Sequence, residues 1–296
     1  MREYLEYGLV KSILFLTNLL PISFVYTLCK KLALFLFEID KRRRTLSLRN
    51  LQLAYPDLNE DERLNLAKKV YENVALSVAE IILMMQKRLD IDSMIEDYEQ
   101  ALIDMRNCFE HQRTGTLLLT AHFGNWELLA HFFAKHGYPV VVIGRKGNNA
   151  LIETKLTAPF RTMYGNTLAY KEQAMSAIIR ALKHNGIAGM LIDQKASGAN
   201  SIKATFFAHQ VDTVNSTAML KLRYDPAVVS LFMARQKSGK YKLIVGSSAD
   251  VILDEKLSET EKIEHLTQRY NDIIEEIVRA YPEQWFWMHD RWRIAK

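Results

Sequence analysis

The residues most able to move a proton are His122 and Glu127, in the segment Thr120-Ala121-His122-Phe123-Gly124-Asn125-Trp126-Glu127. Imidazole titrates near neutrality. A carboxylate bonded to one of its nitrogens fixes the tautomer, leaves the other nitrogen as a base and stabilises the imidazolium that forms. On one continuous helix, residues five apart point about 140° away from each other. The two side chains meet only if His122 lies on a loop and Glu127 in the first turn of the next helix. Gly124 permits a tight turn and Asn125 is a good N-cap, so the sequence provides that arrangement. The segment holds no Ser or Cys to act as a nucleophile, which points to direct attack by a substrate hydroxyl. A structural histidine beside a solvated glutamate fits the same spacing, so these residues alone leave both readings open.

The elements around the pair must hold it. Residues 116–121 read as a buried strand that delivers His122 to its carboxyl end, where α/β folds commonly place ligand groups. A helix over 126–136 follows, then a strand over 139–143, helices over 151–163 and 171–183, and a buried strand over 187–192. Asn185-Gly186 supplies a helix stop. Further strands are expected at 228–233 and 241–245, with a long helix over 259–280 before Pro282. Upstream, Asn59 and Glu62 form a capping box for a helix reaching about Met85, and another helix is expected over 93–112. The pattern predicts a layered α/β domain with a largely parallel central sheet flanked by helices, plus an N-terminal hydrophobic helix.

That N-terminal helix rests on the charge-free stretch from Ser12 to Cys29, interrupted by Pro21. Its length is near the minimum for a bilayer span. No small-x-small cleavage site follows, which argues against a removed signal peptide. A buried core helix stays open, and a membrane anchor, spanning or lying in the interface, is the expectation. Residues 1–40 are thus read as an anchor region and 41–296 as the catalytic domain. Lys30, Lys31 and the run Lys41-Arg42-Arg43-Arg44 lie on the carboxyl side of the stretch, which places the remainder in the cytoplasm by the positive-inside rule. The net charge of +5 suits an anionic partner. Without a nucleic-acid motif around the basic run, membrane phosphates are expected in preference to nucleic acid. Two cysteines do not make a disulfide framework, so a reducing compartment is the simpler reading.

Ala121 to Leu128 resembles the His-x4-Glu motif of the bacterial lipid A late acyltransferases, relatives of the His-x4-Asp glycerolipid acyltransferases. The likeness continues through Asn50-Leu51, Ala54-Tyr55-Pro56, Glu62-Arg63 and Glu80, then Gly144-Arg145, Arg161 and Asp193-Gln194. It ends with Phe206-Phe207, Thr213 and Pro282-Glu283-Gln284-Trp285-Phe286-Trp287-Met288-His289 with Arg291. Lys146, Ala208 and Asp290 depart from the family's usual residues, which bears on substrate preference more than on the reaction. The resemblance implies acyl transfer from an acyl-carrier-protein thioester to a hydroxyl of a lipid A precursor. It places this at the cytoplasmic face of the bacterial inner membrane, with no metal or redox cofactor, and makes His122 and Glu127 catalytic.

Arg145 and Arg161 then become candidates for substrate phosphates, since arginine presents forked donors. Asp193 ends a buried strand, where an unpaired carboxylate is costly, and is expected to hold Arg161 or a substrate group. A surface ion pair is the plainer alternative for each arginine, and a purely structural salt bridge for Asp193. Trp285, Phe286 and Trp287 read as core packing, with membrane-interface seating as the alternative, and His289 as a core or surface histidine in preference to a second base. A metal on His122, Glu127 and His131 is disfavoured, because the segment lacks the two-histidine helix pair of zinc hydrolases. The rivals to lipid A acylation are acylation of another glycolipid or phospholipid, a thioester or phospholipid hydrolase, and a non-catalytic membrane scaffold.

Overall fold

A computed structural model describes residues 1–110, 112 and 114–293. The expected helix over 93–112 and the expected domain to residue 296 therefore each extend partly outside the described residues.

The N-terminal stretch is two helices, α1 (Arg2–Leu19) and α2 (Ile22–Ile39). Pro21 stands between them as the N-cap of α2, where its missing amide and fixed φ suit a helix start. The charge-free run of 12–29 is therefore split, and among the described residues no helix is long and apolar enough to cross a membrane. Both helices leave large apolar side chains exposed, including Leu9, Phe15, Leu16, Phe24, Leu32 and Phe35. α3 (Lys41–Ala54) carries the basic run, with Asp40 capping it through Arg43 N–H. α4 (Glu60–Met85) opens with the expected Asn59/Glu62 capping box. Just beyond it, the Arg88 guanidinium donates to the carbonyls of Thr17 and Leu20, satisfying the last turn of α1.

The helix expected over 93–112 starts later, as α5 (Tyr98–Phe109), because Asp97 takes a left-handed conformation that breaks the run. The α/β core follows: β1 (Thr116–Thr120), α6 (Trp126–Lys135), β2 (Val140–Gly144), α7 (Ala150–Ile152), a π-helical turn Glu153–Thr157, and α8 (Ala158–Arg161). Next come β3 (Thr167–Tyr170), α9 (Ala174–Lys183) and β4 (Ile187–Leu191). α9 stops as expected: Asn185 is left-handed, and Gly186 N–H returns to Ala181 O. A hairpin of β5 (Ser201–Phe206) and β6 (His209–Val214), then α10 (Ser216–Tyr224), were not anticipated. β7 (Ala227–Arg235), β8 (Tyr241–Val245) and α11 (Glu259–Ala280) follow, and then a 3-10 turn at Pro282–Gln284.

The central sheet has six strands in the order β3-β2-β4-β1-β7-β8. All neighbours are parallel except β7 and β8. The fold is thus the expected α/β layering around a mostly parallel sheet. β1, paired on both sides, is buried at every position, which explains its unbroken apolar run.

Candidate active site

The site forms at the carboxyl ends of β1, β4 and β2, next to one another in the sheet. His122 follows β1 and Asp193 follows β4. The two meet because Thr120 pairs with Leu191, the last rung of that parallel ladder. His122 Nδ1 lies 3.0 Å from Asp193 Oδ1, and His122 N–H donates to Asp193 Oδ2 at 3.0 Å. A carboxylate only accepts, so Nδ1 carries the proton and Nε2 is the nitrogen left as a base. Trp285 donates its indole N–H to the same Oδ2 at 2.9 Å. Asp193 is 1 % exposed, so three donors satisfy a carboxylate that water does not reach.

Electrostatics favour the charged pair. Burial alone lowers the pKa of His122, but the charge and hydrogen bond of Asp193 outweigh it, and Glu127 adds to them, so the net shift is upward. Burial raises Asp193, and the His122 and Trp285 contacts reverse this, leaving its pKa below the ordinary value. The two shifts agree: each partner stabilises the other's ion.

The turn is built tightly. Gly124 has φ +54°, and a Cβ there would lie 1.9 Å from the Met233 carbonyl oxygen, so only glycine fits. Gly124 N–H donates to Gln284 O, and Phe286 N–H to His122 O, so the C-terminal segment is laced to the turn. Asn125 caps α6 by accepting Leu128 N–H at 3.0 Å. This puts Glu127 in the first turn, as expected.

Glu127 does not hold His122. Its carboxylate accepts from Arg161 Nε at 3.2 Å and from a terminal nitrogen of the same guanidinium at 2.8 Å. The expectation that Glu127 orients the imidazole, and that Asp193 holds Arg161, is therefore exchanged in the structure. The physical reason is register: Asp193 leaves β4 beside the histidine, whereas Arg161 on α8 faces α6. Gly144 makes room for this ion pair, since a Cβ there would stand 2.9 Å from the Arg161 guanidinium.

These groups border one cavity of about 270 Å³, lined by Leu118, Leu129, Val140, Val142, Gly189 and Leu191 below His122, Glu127, Arg145 and Arg161. Arg145 is exposed at the end of β2. The arrangement joins a histidine base and two guanidinium groups to an apolar slot between α6 and the sheet.

His131 points elsewhere. It is 1 % exposed and packs edge-on against Phe160, and burial lowers its pKa to about 4. Among the described residues no group of three His, Cys, Asp or Glu side chains is placed to hold a metal. His289 accepts Lys195 N–H at its Nε2, 2.9 Å away, so that nitrogen is engaged. Trp285 and Trp287 are buried in a cluster with Phe206, Phe207 and Trp292. The reading of the two tryptophans as core packing omitted the Trp285 bond to Asp193, whose only sequence signal was an aromatic with an N–H to satisfy.

Comparison with known proteins gives a consistent result. The family model described as "Bacterial lipid A biosynthesis acyltransferase" matches residues 1–294. The chain is 25 % identical over 285 residues to a lipid A biosynthesis lauroyltransferase of Escherichia coli (strain K12), covering 95 % of this chain and 89 % of that protein. It is 24 % identical to a lipid A biosynthesis acyltransferase of Haemophilus influenzae, over 86 % of this chain and 79 % of the relative. A lipid A biosynthesis palmitoleoyltransferase of Escherichia coli (strain K12) is 23 % identical over the same shares.

Proposed function

Since the chain belongs to the bacterial lipid A biosynthesis acyltransferase family, we propose that His122 is the general base of its acyl transfer. The enzyme is an acyltransferase of lipid A biosynthesis. In the proposed reaction the donor is an acyl-carrier-protein thioester and the acceptor a hydroxyl of a lipid A precursor. His122 Nε2 takes the hydroxyl proton as that oxygen attacks the thioester carbonyl. Asp193 holds the ring and stabilises the imidazolium. The tetrahedral oxyanion collapses, the C–S bond breaks, and His122 returns the proton to the departing thiolate. The products are an ester and the free carrier thiol. Amides in the first turn of α6, just beyond Gly124, are suited to stabilise the oxyanion.

The single observation that carries this reading is the His122–Asp193 hydrogen bond over an apolar cavity. The slot between α6 and the sheet is assigned to the acyl chain. Arg145 and Arg161 are assigned to substrate phosphates, with Glu127 aligning Arg161 and adding negative charge near His122.

The membrane part of the proposal rests on α1 and α2. Their exposed apolar side chains, with Lys30 and Lys31 within α2 and the Lys41 to Arg44 run following on α3, suit helices lying in a bilayer interface with basic groups near phosphates. The catalytic domain then sits at the cytoplasmic face of the inner membrane, beside an acceptor embedded in it. The test is product analysis by mass spectrometry with acyl-carrier-protein thioesters and a lipid A precursor. An acylated precursor supports the reading. Free fatty acid released without acceptor indicates a hydrolase, and no product from a membrane preparation that binds both substrates overturns it.

A further inference from the structure

Beneath the catalytic turn lies a buried polar cluster that touches neither the cavity nor the His122 ring. Glu80, on α4, is 0 % exposed. Its carboxylate accepts from two terminal nitrogens of Arg235 at 2.7 and 3.0 Å, from Tyr241 OH at 2.7 Å, from Asn125 Nδ2 at 2.8 Å and from Tyr26 OH at 3.4 Å. We propose that Glu80 is a positioning residue for acyl transfer, acting through Asn125 to fix the turn from His122 to Glu127. This inference rests on the reading of His122 as the base.

The argument runs through the Asn125 amide. A carboxylate is acceptor-only, so Asn125 must turn its NH₂ to Glu80 and its oxygen to the start of α6. That oxygen caps Leu128 N–H, so one side chain ties the buried carboxylate to the helix bearing Glu127. One turn earlier on α4, Ser77 donates to Gly124 O at 3.2 Å. On the opposite side, Arg235 N–H donates to Gln284 Oε1 at 2.8 Å, and Gln284 Nε2 donates back to Arg235 O at 2.7 Å. Gln284 O in turn accepts Gly124 N–H. Glu80, Arg235, Gln284, Gly124 and Asn125 thus close a ring of contacts around the turn. Buried ion pairs are a poor way to gain stability, and well-packed apolar groups of similar volume often do as well or better. A fully satisfied network directed at one turn is suited instead to fix a single conformation.

The experiment compares steady-state kinetics of the full-length enzyme with Asn125→Ser and Glu80→Gln, each below its melting temperature. Serine is as good an N-cap as asparagine, so Asn125→Ser keeps the cap and deletes only the link to Glu80. The expected result is a fall in kcat of about 10–100-fold for both single variants with KM within about threefold, the size of effect that a small misplacement of reacting groups produces. Wild-type kcat in folded Asn125→Ser, or a lowered melting temperature with unchanged kcat in Glu80→Gln, overturns the inference. If wild type is active and His122→Ala inactive while the Glu80 and Asn125 variants match wild type, this inference alone fails. If the wild type transfers no acyl group, the functional reading fails first.

Discussion

His122 and Asp193 each stand two residues beyond the rung that pairs Thr120 with Leu191, and the sheet brings them to 3.0 Å across 71 residues of chain. Two neighbouring parallel strands end together, and each delivers one half of a proton-transfer pair to the same edge. The ladder that holds these strands also sets the geometry of the base, so the site inherits the rigidity of the sheet.

The acid limb of the activity profile follows from this pair. A general base works when neutral, and Asp193 with Glu127 raises the His122 pKa above the ordinary 6.5. Activity of the wild type is therefore expected to rise with pH through a limb above 6.5. Asp193→Asn removes the largest raising influence while burial continues to lower the pKa, so the limb moves to lower pH. Turnover falls by about 10²–10⁴, because the correct tautomer is no longer enforced. Profiles of kcat/KM against pH for the two proteins check both parts, and an unmoved limb contradicts the assignment.

Glu127 and Arg161 act as a unit, with side chains 15 % and 26 % exposed. Glu127→Gln and Arg161→Met are each expected to lower kcat/KM by about 10–100-fold. The double variant should cost little more than either, since neighbours that share one interaction are not additive. Losses that multiply would show that the two residues work separately. Either single loss is expected to be smaller than that of His122→Ala.

Gly189 keeps the slot open. A Cβ there meets Val140 Cγ1 at 3.5 Å, an ordinary contact, so a larger side chain enters the cavity without forcing the backbone. Gly189→Leu is expected to shift preference toward shorter acyl donors, by at least about tenfold in relative kcat/KM, since each excluded methylene is worth roughly 0.8 kcal/mol. Competition among donors of several chain lengths, resolved by mass spectrometry, checks this. An unchanged product distribution would place the acyl chain elsewhere.

The exposed apolar face of α1 supplies a further test. Replacing Leu9, Phe15 and Leu16 together by Ser is expected to weaken sedimentation with anionic vesicles by well over tenfold, at about 1.5–3 kcal/mol of apolar burial for each side chain. Equal sedimentation of wild type and variant would remove the interfacial seat.

Much of this was legible from local signals. The strand before His122, the turn at Gly124, the Asn125 cap and the Asn59 cap follow from neighbouring residues, and they set α6 and α4. The partner of His122 was not legible, because only the order of β4 beside β1 brings Asp193 to it. Glu127 looked like the partner because it lies five residues on, across a capped turn, and because the family motif joins it to His122. The β5–β6 hairpin escaped notice because its turn residues are Phe207 and Ala208, both with positive φ and neither with the usual Gly or Asn signal. Burial of Phe207 against Tyr55, Trp287 and the Arg279 guanidinium offsets that strain. Glu80 stood out in the sequence, but its link to Asn125 appears only once α4 is packed under the turn.

The decisive comparison sets wild type against His122→Ala, both shown to be folded, with acyl-carrier-protein thioesters and a lipid A precursor, weighing the lipid products. Acylated precursor from the wild type, and turnover lower by about 10²–10⁴ in the variant, is the predicted result. Near-normal turnover in the folded variant would show that His122 is not the base.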